Sequence, residues 1–263
     1  MRAYLSVFLA RFQTQLQYRE AAISGVGTQL FWGMIRMMLF DAFYRSTTAE
    51  MPMTLPEVIA YVWLGQAFLG LIGWGADPDV REQVHSGTVA YEMLRPVDIP
   101  TFWLMRTLAI RAGTLTLRAT PILVVAFLFI DISLPPDAGS LFAFAITLIG
   151  ALCLSSAMAA LLTISLLWTV SGEGISRMMP AIAYVLSGLA VPIPLFPEWL
   201  QPILNFLPFR GMIDIPFRFY LGHIPASELL QMFGHQVAWT AALILMGRAL
   251  FYRGRRHLVI QGG

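Results

Sequence analysis

The sequence contains no lysine; all 17 of its basic residues are arginine. A Walker-type phosphate loop needs a lysine to reach the β- and γ-phosphates. The chain therefore has no such loop, and any ATP site of that kind belongs elsewhere. The same absence excludes Schiff-base chemistry and serine–lysine dyads. Cysteine is almost missing too. Cys153 stands alone, so no disulfide closes within the chain and redox compartment is not legible from it. Charge is scarce: 12% of residues are charged and 57% are hydrophobic, whereas a soluble domain carries about 25% charged residues. Too little polar surface exists to face water all round, so lipid must solvate much of the outside. There is no G-x-S-x-G elbow and no H-E-x-x-H motif. His85, His223, His235 and His257 are scattered along the chain, which is not a metal-ligand spacing.

What the chain does have is long apolar runs. A spanning helix needs about 20 mostly apolar residues. Six stretches approach that length: 23–43, 58–75, 101–130, 141–170, 178–195 and 229–251. They predict an all-α, polytopic membrane protein with six transmembrane helices, organised as one domain over 1–263. No internal repeat of the kind found in inverted-repeat transporters is visible. Arginine placement sets the expected orientation. With the N-terminus cytoplasmic, Arg2, Arg11, Arg19, Arg81, Arg95, Arg177, Arg248, Arg253, Arg255 and Arg256 fall inside, and only Arg45, Arg210 and Arg218 fall outside. Both termini are therefore expected in the cytoplasm.

Residues 1–20 show no signal-peptide cleavage pattern. Leu5, Phe8, Leu9, Phe12 and Leu16 recur at helical spacing among Arg2, Arg11, Gln15 and Arg19. This is either an amphipathic helix on the membrane surface or the polar start of the first span.

Two connections are long. The inner one, 77–100, concentrates Asp77, Asp79, Arg81, Glu82, His85, Glu92, Arg95 and Asp98. Asp77 followed by Pro78 is a helix-start signal, and Ser86-Gly87 is a stop. A short polar helix held between two spans is suited to receive force from a soluble partner; the plainer reading is a solvated connector. The outer connection, 196–228, is proline-rich yet apolar. Pro192, Pro194 and Pro197 are expected to end the fifth span. Residues 197–209 are apolar but too short to cross, which suggests a re-entrant or interfacial element. Trp199 suits the headgroup level.

Four arginines fall within or near spans. Arg36 lies far from either end of the first, where a charge must face protein or water; Asp41 and Glu173 are candidate partners. Arg106 and Arg111 are expected to snorkel to the inner surface, leaving Arg118 as the interior candidate. Ala151, Ser155 and Ala159 recur every four positions, permitting close helix contact either between subunits or within the chain.

These two loops carry a resemblance. The segment from Gly87 to Asp98, with Leu94-Arg95-Pro96-Val97 at its centre, is similar to the glycine-to-Leu-Leu-Arg-Pro signature of one branch of ATP-binding-cassette (ABC) transporter permeases. That branch is the six-span, single-permease branch of the type-2 exporter class. Pro194-Leu195-Phe196-Pro197-Glu198-Trp199-Leu200, then Asn205-Phe206-Leu207-Pro208-Phe209, Pro216 and Tyr220-Leu221-Gly222, complete the ordered set. Met93 stands where leucine is usual.

The resemblance implies a non-catalytic permease subunit, active with two separate ATPase subunits and a second permease, identical or related. ATP and Mg would be bound by the ATPase, with no cofactor in this chain and no nucleic acid. It implies export across a bacterial cytoplasmic (inner) membrane. Asp77, Asp79, Arg81, Glu82, His85 and Gly87 would couple to the ATPase. Leu94, Arg95 and Pro96 form the signature loop. Pro197, Trp199, Pro202 and Pro208 belong to the outer re-entrant hairpin. Trp32, Met38, Arg36 and Arg118 are candidate path-lining residues, with Phe31, Met34, Trp63 and Phe68 beside them. A non-transporting scaffold, a secondary transporter and an embedded enzyme are the alternatives. The broken outer loop, the missing repeat and the lack of a paired nucleophile and base argue against them in turn.

Overall fold

The computed structural model describes residues 2–17, 19–72, 75–169 and 173–255, apart from the side chains of 19–24 and 173. The described residues form eleven α-helices and no strand. The protein is an all-α, polytopic membrane protein, as its apolar runs predict.

All six apolar segments are helical, but not equally long. α1 spans Arg2–Gln17 and α2 spans Arg19–Ser46. α3 covers only Leu55–Ala67; α4 (Pro78–His85) and α5 (Val89–Met93) fill the inner connection. α6 runs Ile99–Val125 and widens into a π-turn through Ile130. α7 spans Ala138–Ser165 and α8 spans Glu173–Leu186. α9 (Gln201–Phe206) and α10 (Asp214–Tyr220) lie in the outer connection, and α11 spans Leu229–Gly254. Ile99–Ile130, Ala138–Ser165 and Ala226–Gly254 are long and apolar enough to cross a bilayer.

Local chemistry sets the helix starts. Asp137 accepts from the Ser140 amide at 2.9 Å to begin α7, and Asp98 accepts from the Thr101 amide at 3.2 Å to begin α6. Pro56, Pro78 and Pro100 sit in first turns, where the missing donor costs nothing.

The second and fifth segments are shorter than their apolar runs. Helices of this length rise about 20 Å, short of a hydrocarbon core of about 30 Å. α3 is continued by a single 3₁₀ turn, Leu69–Leu71. α8 ends before the proline run that the sequence marks as its stop. Gly188 adopts φ +88°, the left-handed turn that closes a helix, and the Ala190 amide reaches back to Tyr184 O at 3.0 Å.

α7 is the axis of the fold, with α6, α10 and α11 packed along it. Its small residues make that possible. Ala151, Ser155 and Ala159 are buried within the chain, so their spacing serves internal packing. The Ser155 hydroxyl donates to Leu71 O and so holds the 3₁₀ turn after α3.

The outer connection inserts further along than the sequence suggests. Pro197, Trp199 and Pro202 are exposed, and the inserted portion is 208–220, where Pro208 is buried. Phe217 is wholly buried and meets Tyr61 edge-on at 5.1 Å; burying such a ring contributes about 1.5–3 kcal/mol. Tyr220 donates to Ser133 O at 2.9 Å, and His223 lies 2.9 Å from Glu57. α3, the 131–137 loop and α10 thus meet at one end of the molecule. At the other end, Tyr4 and Tyr252 both bond to Asp98, which puts α1, the 77–100 connection and the end of α11 on the same side.

Asp214 is the buried charge of the inserted element, wholly inaccessible between Arg210 at 3.5 Å and Arg218 at 3.8 Å. Removing one member of a buried ionic group leaves the rest uncompensated, at about 3–5 kcal/mol. Asp214→Ala should therefore lower the thermal unfolding midpoint of the purified chain more than Asp41→Ala, which removes only an exposed pair with Arg45. Equal midpoints for the two variants would contradict this role for Asp214.

Candidate functional site

The inner connection folds as its start and stop signals dictate. Asp77 caps α4, accepting from the amides of Asp79 at 3.0 Å and Val80 at 3.3 Å. Val80 turns inward and is fully buried. Asp79, Glu82 and His85 turn outward, and Arg81 is half-buried. Gly87 has φ +74°, which stops α4 and turns the chain into α5; a side chain there would be strained. Beyond α5, Leu94, Arg95 and Pro96 are exposed. Tyr91 is 74% and Leu94 80% exposed, although both are large and apolar. The Arg95 guanidinium lies over the Phe102 ring at 5.5 Å. The result is a short helix pair with acidic, basic and apolar side chains on one free surface.

What anchors this pair is an arginine expected to snorkel. Arg106 does not reach for water; it is 3% exposed. Its Nε lies 2.7 Å from Asp77 Oδ2, its Nη2 donates to Asp77 Oδ1 at 2.8 Å, and it also pairs with Asp79. Arg11 reaches Asp79 from α1 at 3.2 Å. The Asp77 amide donates to Thr163 Oγ1 on α7 at 3.0 Å. The start of α4 is thus tied to α1, α6 and α7 at once. α1 itself packs lengthwise along α6, with Tyr4 and Val7 against the cluster that holds Trp103 and Gln15 beside Gly113, and leaves Leu5 and Leu9 exposed on its flank.

A second knot closes the connection. Trp103 donates to the buried Glu92 carboxylate at 3.1 Å. Asp98 accepts from Arg248 and from Tyr252, each at 2.8 Å, and its amide donates to the Tyr4 hydroxyl at 2.9 Å. Both ends of the 77–100 segment are thereby fastened to long helices.

The candidate path residues are not brought together. Trp32 and Met38, with Phe31 and Met34, lie on the exposed face of α2; Trp63 and Phe68 are core residues. Arg36 points the other way. It donates to the carbonyls of Leu189 and Ala190, the latter at 2.9 Å, and so satisfies the backbone freed where α8 stops. Asp41 is not its partner, being paired with Arg45; the Glu173 side chain lies outside the described residues. Arg111 is buried as well, donating to Gly70 O at 3.0 Å and Ser155 Oγ at 3.1 Å. Arg118 lies against Gly25 and lines a cavity.

The pairings of Arg106 with Asp77 and of Arg248 with Asp98 are not foreseeable from the sequence. Nothing local signals a contact across so many residues; the one clue is that an arginine near a span start must find a carboxylate or water. No group of three or more metal-ligating side chains exists among the described residues.

The Asp98 knot has a pH signature. Partial burial works to raise the Asp98 pKa, but the hydrogen bonds from Thr101, Arg248 and Tyr252 outweigh it and hold the carboxyl down at about 2, below the usual value of about 3.9. A depressed folded-state pKa stabilises above the unfolded value, and that stability is lost as pH falls through the folded one. Asp98→Asn should be less stable than wild type at neutral pH and converge on it between about pH 4 and pH 2. Thermal unfolding across that range checks this; a gap that stays constant would contradict it.

No curated protein matches the chain. A family does, over residues 30–262, which takes in every helix from within α2 onward. Its description is that of an ABC-2 family transporter protein. The apolar helices, the fastened inner helix pair and this match agree, and the chain belongs to the ABC-2 transporter family, as a transmembrane permease of an ABC transporter.

Proposed function

We propose that this permease exports a hydrophobic or amphipathic substrate, driven by ATP and Mg bound on two separate ATPase subunits, and works as a pair with a second permease. The observation that carries the reading is the Arg106 tie. A helix pair with a free surface of Glu82, His85, Tyr91 and Leu94 is joined to the spans behind it through the buried Arg106–Asp77 pair, with Asp79 beside it. Movement of α4 by a docked ATPase is transmitted to α6 and α7, because a buried pair resists separation. Docking on α4 requires that the 77–100 connection be cytoplasmic. The excess of arginine on that side supports this and brings both termini with it, in a bacterial inner membrane. The exposed apolar face of α2, with Trp32 and Met38, suits either lipid or the second permease.

Mild-detergent purification of the full chain with its native partners tests this. A soluble ATPase should co-purify, and reversing charge at Arg81 and Glu82 together should remove it while leaving the chain folded. Recovery of the chain with membrane partners alone, or an ATPase that binds the charge-reversed variant equally well, would overturn the reading.

A further inference from the structure

Arg118 is unexplained by anything above. It sits on the same face of α6 as Arg111, seven residues on. It lies so close to Gly25 that a Cβ there would come within 2.9 Å of its guanidinium carbon. Both arginines line a cavity of about 390 Å³ between α6, the 3₁₀ turn after α3 and the start of α4, a size typical of small-ligand sites. Among the described residues Arg118 has no ion-pair or hydrogen-bond partner. Among those residues Arg111 is held only by the neutral acceptors Gly70 O and Ser155 Oγ, and its buried Nε has no partner.

Among the described residues the wall offers no compensation. Asp77 lines the cavity, but its carboxylate is engaged by Arg106 and by its own helix amides. Thr107 and Thr114 spend their hydroxyl protons on the carbonyls of Trp103 and Ile110. Among the described residues the lining carries Arg111 and Arg118 against Asp77 alone, whose charge Arg106 already answers, an excess of positive charge. Leu69 and Ile110 supply apolar wall beside it. The level is also defined. Asp77 and Pro78, which begin α4, line the cavity, so it reaches the inner connection, with Arg118 at its far end along α6.

We propose that this cavity binds the anionic headgroup of an amphiphile, a phosphate or similar oxyanion. Arg118 makes the charged contact, Arg111 Nε stands behind it, and the chain of the amphiphile leaves along Leu69 and Ile110. Basic pockets between helices on the cytoplasmic side are the places where such headgroups settle. The ligand is either a resident phospholipid of the inner leaflet or cargo on its way out; the site itself depends on neither an ATPase nor a direction of transport.

The probe is the full chain in nanodiscs of phosphatidylcholine doped with phosphatidylglycerol, with retained lipid read by native mass spectrometry and unfolding followed by tryptophan fluorescence. Wild type should retain phosphatidylglycerol over phosphatidylcholine by about thirtyfold, as expected for two arginines at about 1 kcal/mol each. Arg118→Gln should cut that preference to about fivefold, the share of one arginine, without lowering the unfolding midpoint in pure phosphatidylcholine, and Arg118→Lys should keep most of it. An unchanged preference in Arg118→Gln, or no preference in wild type, would overturn the site. In vesicles with the ATPase and ATP, Arg118-dependent transfer of labelled phosphatidylglycerol between leaflets identifies cargo. Arg118-dependent retention without transfer identifies a resident lipid. Both support the headgroup site.

Discussion

The buried guanidinium of Arg106 decides how the inner half of this protein is arranged. A charge shut away from water must be neutralised, since an isolated ion in the interior costs several kcal/mol or more. Here the neutralising groups are Asp77 and Asp79, the cap and the first turn of α4. The same aspartate that starts the helix therefore also anchors it. Because Asp77 further donates its amide to Thr163 and Asp79 pairs with Arg11, one side chain on α6 gathers α1, α4 and α7. A permease that takes mechanical work from a soluble partner needs such a joint between its docking surface and its spans, and a buried ion pair supplies one that is costly to break.

The rest of the fold is governed by the demand that backbone at membrane depth be satisfied within the protein. Two of the apolar segments stop short of crossing as single helices, and each break is met by a specific side chain. Arg36 takes the carbonyls after α8. Arg111 and Ser155 take those of the turn after α3. Gln236 bridges Thr147 O at 2.8 Å and Gly211 O at 2.6 Å, tying α7, α11 and the inserted outer element. Arginine suits this work because its several donors form a fixed fork. Arg36 and Arg111 are thus structural acceptor-seekers, whereas Arg118 reaches no acceptor among the described residues.

What can be read in the sequence follows from how local each cause is. The long runs of α6, α7 and α11 are legible because continuous apolarity over a bilayer's thickness fits a spanning helix and little else. α4 is legible because Asp77-Pro78 and Gly87 are signals within the helix's own ends. The break at Gly188 is hidden because a louder signal, the proline run, follows it. The insertion of 208–220 is hidden because Arg210, Asp214 and Arg218 look like surface charge until Asp214 is seen to neutralise its neighbours at a distance of one turn. The partners of Arg36 and Arg106 lie far along the chain, and no periodicity encodes them.

The most direct test of the joint is hydrogen exchange on the permease–ATPase complex, with and without a non-hydrolysable ATP analogue. If α4 and the spans move as one, amides of α4 and of the first half of α6 should change protection together, and Arg106→Gln should confine the change to α4. Protection that changes in α4 while α6 stays constant in the wild type would contradict the account.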